Sequence, residues 1–157
     1  MKNSIGLTDE NSQAIAFELS KILADEQILS IKTRNAHWNV VGSDFYEKHL
    51  FFDIQYHELD EIIDTVAERI RFIGHYPPST LAMYVELTHL TEMNREKNDS
   101  NGFIQELVSD HNHIIIELRK NISHFVDDLK DAGSSDFITG LMEKHEKMVW
   151  ILRSHLL

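Results

Sequence analysis

Six glycines and two prolines in 157 residues leave few places where a helix must stop. Scarce breakers together with apolar residues at helical spacing predict long helices. The first run spans residues 9 to 38, with Ile15, Phe17, Leu19, Ile22, Leu23, Ile28, Leu29 and Ile31 on a broad apolar face. Thr8 is its expected N-cap, and Asp9 and Glu10 suit the positive end of the helix dipole. Val40 to Asp44 break the pattern, and a second helix is expected from Ser43 to Ile73, ended by Gly74 and the Pro77-Pro78 pair. Residues 75 to 98 form a crossover, with a short helix expected in Ser79 to Leu90 and a polar loop in Thr91 to Gly102. A third helix is expected from Asn101 to Lys130. Ala132 to Ser135 then close it, and Ser134 or Ser135 caps a fourth helix reaching nearly to Leu157. No strand-like alternation and no internal repeat is visible.

Four long helices with one long middle connection describe an all-α, ferritin-like four-helix bundle, a single domain over residues 1–157 with a short helix in the crossover between helices 2 and 3. Cytokine-type bundles need two long crossovers, and this chain offers one. No run of about 18 apolar residues exists, so no membrane span is expected. The first residues lack the apolar core of a secretory leader. The absence of cysteine excludes disulfides, thiol catalysis and Cys-type metal sites and suits the cytoplasm. Twenty-six acids against 15 Lys plus Arg give a net charge of −11, which disfavours a nucleic-acid binder and favours attraction of cations.

The chemistry concentrates on the second helix. His49 and Asp53, and then Asp64 and Glu68, are spaced i, i+4, so each pair shares a face. At about 100° per residue all four fall on one stripe. Imidazole and carboxylate are good ligands for first-row metals. Acids on a helix often only face water, and His49 is the residue that this bland account explains least well. Asp53 and Asp64 stand roughly 16 Å apart along the axis, too far to share a metal cluster. The helix therefore carries two half-sites. The midpoint of 53 and 64 coincides with that of 49 and 68, between residues 58 and 59. An antiparallel pair of these helices crossing there on a two-fold axis sets Asp53 against Asp64 of the partner subunit and His49 against Glu68 of the partner subunit, and two identical sites form. His37, at the end of the first helix, is placed to join His49 and Asp53. By itself it would be a helix-end histidine favoured by the dipole.

These residues resemble the signature of the Dps family, the mini-ferritins. The matching pieces are Asn35-Ala36-His37-Trp38-Asn39-Val40, then His49-x-x-x-Asp53, then Asp64-x-x-x-Glu68-Arg69, with the ending His145 to Ser154 similar to the family's last helix. The resemblance covers nearly the whole chain. It implies a di-iron ferroxidase centre between two-fold-related subunits, with His37, His49 and Asp53 from one and Asp64 and Glu68 from the other, Glu68 being the carboxylate that bridges two irons. It further implies a homo-oligomeric shell of 12 subunits that oxidises Fe(II), usually with hydrogen peroxide, and stores ferric mineral inside.

In that family, acids near the end of the third helix line a pore on the three-fold axis, which makes Asp127, Asp131 and Asp136 candidates for cation entry. Relatives that compact DNA do so through basic terminal tails. Here the first ten residues hold one Lys and two acids, and the last eight hold Arg153 and His155, so DNA binding is not expected. An intrasubunit di-iron centre needs Glu-x-x-His motifs on two core helices. Glu86 to His89 in the crossover is the one match, which argues against it. His111 and His113, two apart, point to different faces. His145, between Glu143 and Glu146, reads as part of a surface charge cluster, and Trp38 as packing at a helix end.

Overall fold

A computed structural model describes residues 5–92 and 95–157. Met1 to Ser4, and positions 93 and 94 of the expected crossover loop, lie outside the described residues. Five helices follow in order: α1 (Asp9–Asn39), α2 (Phe45–Phe72), α3 (Leu81–Leu87), α4 (Ser100–Asp127) and α5 (Ala132–Ser154). Among the described residues there is no strand, and one isolated bridge joins Val41 to Asp99. Among the described residues no helix is long and apolar enough to cross a membrane.

Short loops make α1 and α2 one antiparallel hairpin and α4 and α5 another, and α3 lies against α1. Val41 N–H donates to Asn98 O at 2.9 Å, so α4 begins at the end of the bundle where α1 stops. The crossover therefore runs back along the bundle, which makes α4 parallel to α2. The core is filled from all four long helices, with Leu19, Leu23, Phe52, Ile62, Leu118, Phe125 and Leu152 fully or almost fully enclosed.

Thr8 caps α1 by accepting from Asn11 N–H, as expected. Gly74 adopts φ 97°, the left-handed conformation that closes α2 just beyond Phe72. Several expected boundaries move, and α4 ends at Asp127 rather than Lys130. α2 starts at Phe45 rather than Ser43, and the carboxylate of Asp44 makes no cap there. It accepts instead from Ser100 Oγ at 2.6 Å, tying the helix start to α4 and holding the Asp44 carboxyl below its ordinary range. Likewise, α5 is capped by neither serine. Asp131 Oδ1 accepts from Ser134 N–H at 3.1 Å, so Ala132 to Ser135 are helical rather than a loop. The serines serve tertiary contacts: Ser134 Oγ accepts from Arg69, and Ser135 Oγ donates to Ile122 O. Gly133 allows this, because a Cβ there would lie 3.0 Å from the Arg69 guanidinium.

Candidate metal centre

α1 ends and α2 begins beside each other, so His37 and His49 face across the hairpin. Their rings stack at 3.9 Å between centroids, 18° from parallel. The two make reciprocal bonds: His37 Nδ1 donates to His49 O and His49 Nδ1 donates to His37 O, both at 2.8 Å. A carbonyl oxygen only accepts, so each Nδ1 carries a proton. Each neutral ring then keeps its lone pair on Nε2, the state in which imidazole ligates a metal. His37 Nε2 lies 3.8 Å from Asp53 Oδ1. That carboxylate is itself held, since Tyr56 OH donates to Oδ1 at 2.8 Å, while His57 Nδ1 donates to the Asp53 backbone O at 2.8 Å. The bond to Asp53 raises the Tyr56 phenol above its ordinary pKa and keeps it a donor. Arg34 packs over the Tyr56 ring and pairs with Asp60.

The structure thus brings His37, His49 and Asp53 together within one subunit. It leaves Asp64 and Glu68 exposed about three to four turns beyond Asp53 along α2, with no ion-pair partner among the described residues. His37, His49 and Asp53 do not themselves converge on one point, nor do any other three His or carboxylate groups among the described residues. α2 itself is centred between residues 58 and 59. Phe45, Tyr46, Leu50 and Ile54 stand exposed along it, and Val41 and Trp38 beside it. Such a contiguous apolar strip marks an interaction surface. Trp38 is 66% exposed, so it does not pack within its own subunit as expected.

Three residues of this region carry no signal in the motif. Tyr56, three after Asp53, was legible from its i, i+3 position. His57, four after Asp53, was legible in the same way, and Arg34 was not.

Of the acids proposed for a pore, Asp127 and Asp136 are exposed. Asp131 is 8% exposed and engaged locally, with one oxygen capping α5 and the other 3.7 Å from Arg69.

His145 is a correction. Rather than joining a surface cluster, it is fully buried in the bundle, where Nε2 donates to Glu26 Oε1 at 2.7 Å. With His145 neutral, its Nδ1 accepts from His111 Nδ1 at 2.9 Å. The signal was present: Glu26, His111 and His145 each sit at helical spacing within a buried apolar stripe, as His145 does between Leu141 and Met148. His111 and His113 do part as expected, the first into the core and the second half-buried.

A ferritin-like domain model matches residues 18–157. The chain is 39% identical to an uncharacterised low temperature-induced protein of Nostoc sp. over 98% of its length and 86% of that protein's. It is 32% identical to a DNA protection during starvation protein of Helicobacter pylori, covering 89% of this chain and 97% of the other. Among solved structures, a Dps protein of Vibrio cholerae, described as a member of a broad superfamily of ferritin-like diiron-carboxylate proteins, superposes with a TM-score of 0.91 at 29% identity, over 99% and 97% of the two chains. The bundle with its single crossover, the paired histidines beside a carboxylate and these likenesses lead to one assignment: the chain belongs to the ferritin-like family, as a mini-ferritin of the Dps type.

Proposed function

We propose that the protein is a ferroxidase and iron store that oxidises Fe(II), preferably with hydrogen peroxide, at centres shared between subunits of a 12-membered hollow shell. The observation that carries this reading is the reciprocal pair of Nδ1 bonds, which frees the Nε2 lone pairs of two stacked imidazoles, that of His37 3.8 Å from Asp53. Asp64 and Glu68 of the partner subunit complete each set once two α2 helices cross at residues 58 and 59. Imidazole and carboxylate donors suit Fe(II), and carboxylates favour the Fe(III) product. Two Fe(II) ions held together supply two electrons at once. They cleave one peroxide O–O bond, two protons being taken up, to give two waters and no hydroxyl radical. We read the shell as cytoplasmic, in keeping with a cysteine-free chain.

Anaerobic loading with Fe(II), followed by one peroxide per two irons, tests this. Ferric absorbance should rise within seconds while a hydroxyl-radical trap stays silent. Faster oxidation by dioxygen than by peroxide, or a radical yield equal to that of free iron, would refute the oxidant preference.

Iron must also cross the shell wall, and a ring of carboxylates lowers the barrier for a divalent cation. We assign that role to Asp127 and Asp136. Changing both to Asn should slow Fe(II) uptake several-fold at low ionic strength and weaken its salt dependence. Asp131→Asn should act differently. It removes a cap acceptor's charge and the Arg69 partner, costing about 1 kcal/mol of stability with little effect on entry. Uptake rates and thermal midpoints measured on the same samples separate the two effects.

A further inference from the structure

A cleft of about 530 Å³ opens between α1, the crossover and α4, lined in part by Lys32, His89, Arg95, Asp110 and His113. His89 follows the end of α3 and is fixed by Asp25, which is 2% exposed. Asp25 accepts from Thr88 Oγ1 at 2.7 Å, from the His89 backbone N–H at 2.6 Å and from His89 Nδ1 at 3.0 Å. The proton on Nδ1 leaves the His89 lone pair on Nε2. A buried carboxylate holding one ring nitrogen is how proteins orient a ligating histidine.

Across the cleft the His113 ring lies 5.9 Å from that of His89, centroid to centroid. Two imidazoles bound to one first-row metal have centroids roughly 5 to 6 Å apart, given metal–nitrogen bonds of about 2.1 Å. His113 Nε2 is buried and has no hydrogen-bond partner among the described residues. One turn on, Glu117 is close enough to feel both rings: Lys120's hydrogen bond chiefly holds its carboxyl below the ordinary range, and His89 and His113 add in the same direction. Asp110, a carboxylate that also lines the cleft, is engaged by Lys32 at 2.6 Å. Lys32 is also 3.0 Å from Glu106, which Arg95 approaches at 3.0 Å as well, so both cations of the cleft are engaged by carboxylates.

We propose that His89, His113 and Glu117 form a second metal site, for a borderline divalent cation such as Zn(II) or Co(II), separate from the iron ligands of α1 and α2. Two imidazoles and one carboxylate are the donors such ions take, with water completing the shell. The three donors do not yet converge on one point in this structure. Closure requires Glu117 to leave Lys120, an exposed pair of little energetic weight. A cation there would join the crossover, through His89, to α4 and stabilise the assembled protein by mass action.

The experiment uses the full assembled chain carrying His37→Ala and His49→Ala, so that the iron ligands do not compete. Titration with Co(II) should give one bound ion per subunit with visible d–d absorption, displaced by Zn(II). Adding H113A or H89A should weaken binding at least tenfold, and adding E117Q several-fold. Zn(II) should raise the thermal midpoint of the parent and leave that of the H113A variant unmoved. In the chain with its iron ligands intact, H113Q should lower bound Co(II) by one per subunit, which covers the case in which the multiple variant fails to assemble. Absence of Co(II) binding in the parent, or an unchanged count and affinity after either His113 change, would overturn the proposal.

Discussion

Neither a His37→Ala/His49→Ala variant nor an Asp64→Asn/Glu68→Gln variant should keep the fast phase of Fe(II) oxidation, yet shells assembled from the two together should recover about a quarter of the native rate. Each variant alone should lose roughly 100-fold or more, since loss of even outer-shell support at a metal centre costs 10–100-fold. The recovery follows from the two-fold. In a mixed pair, one centre takes its histidines from the first variant and its acids from the second, and is doubly broken. The other takes its acids from the first and its histidines from the second, and is intact. Random pairing makes half the pairs mixed, and half their centres work. Stopped-flow rates on co-expressed shells, with the subunit ratio measured, decide the matter. No recovery at an equal ratio would place all five residues in one subunit's site. That outcome conflicts with the roughly 16 Å between Asp53 and Asp64 along one helix.

The second large effect is expected in the bundle core. Glu26 and His145 are both fully enclosed, and Glu26 Oε2 has no hydrogen-bond partner among the described residues. His145→Leu removes the donor to Oε1 and strands the carboxylate, which should cost about 3–5 kcal/mol. A Glu26→Leu/His145→Leu double variant removes both partners of this pair and should regain most of that loss. Thermal or urea unfolding at fixed subunit concentration measures both, and a single-variant cost below about 1 kcal/mol would show that Glu26 does not depend on His145 in the core.

The same network sets an acid limit. Burial, and then the neighbouring His145, push the His111 imidazole well below its ordinary 6.5. The unfolded chain therefore takes up a proton near 6.5 that the folded chain refuses. Stability from this group is complete above that pH and falls as pH drops below it, by up to about 1.4 kcal/mol per unit. His111→Gln should flatten this part of the profile.

The architecture was legible because its determinants are local and periodic. Few breakers, apolar stripes and one polar gap between residues 73 and 100 specify four long helices and one crossover, and Thr8 announces its cap by type alone. The ligand spacing was legible for the same reason: a helix converts residue number into angle and rise, so His49, Asp53, Asp64 and Glu68 fall on one stripe without further information. What the chain alone left open are choices between equivalent partners. Asp44 and Asp131 are both sound caps by residue type. The first turns to Ser100 on another helix and the second caps α5, because hydrogen-bond partners distant in sequence compete with nearby ones. His145 lies between two glutamates that suggest a surface, yet the turn of α5 aims it inward at Glu26, more than a hundred residues away. Periodicity determines which face a side chain occupies. Packing of one helix against another determines what that face meets, and so which polar group is enclosed, which nitrogen holds the proton and which ligand is left for a second subunit to supply.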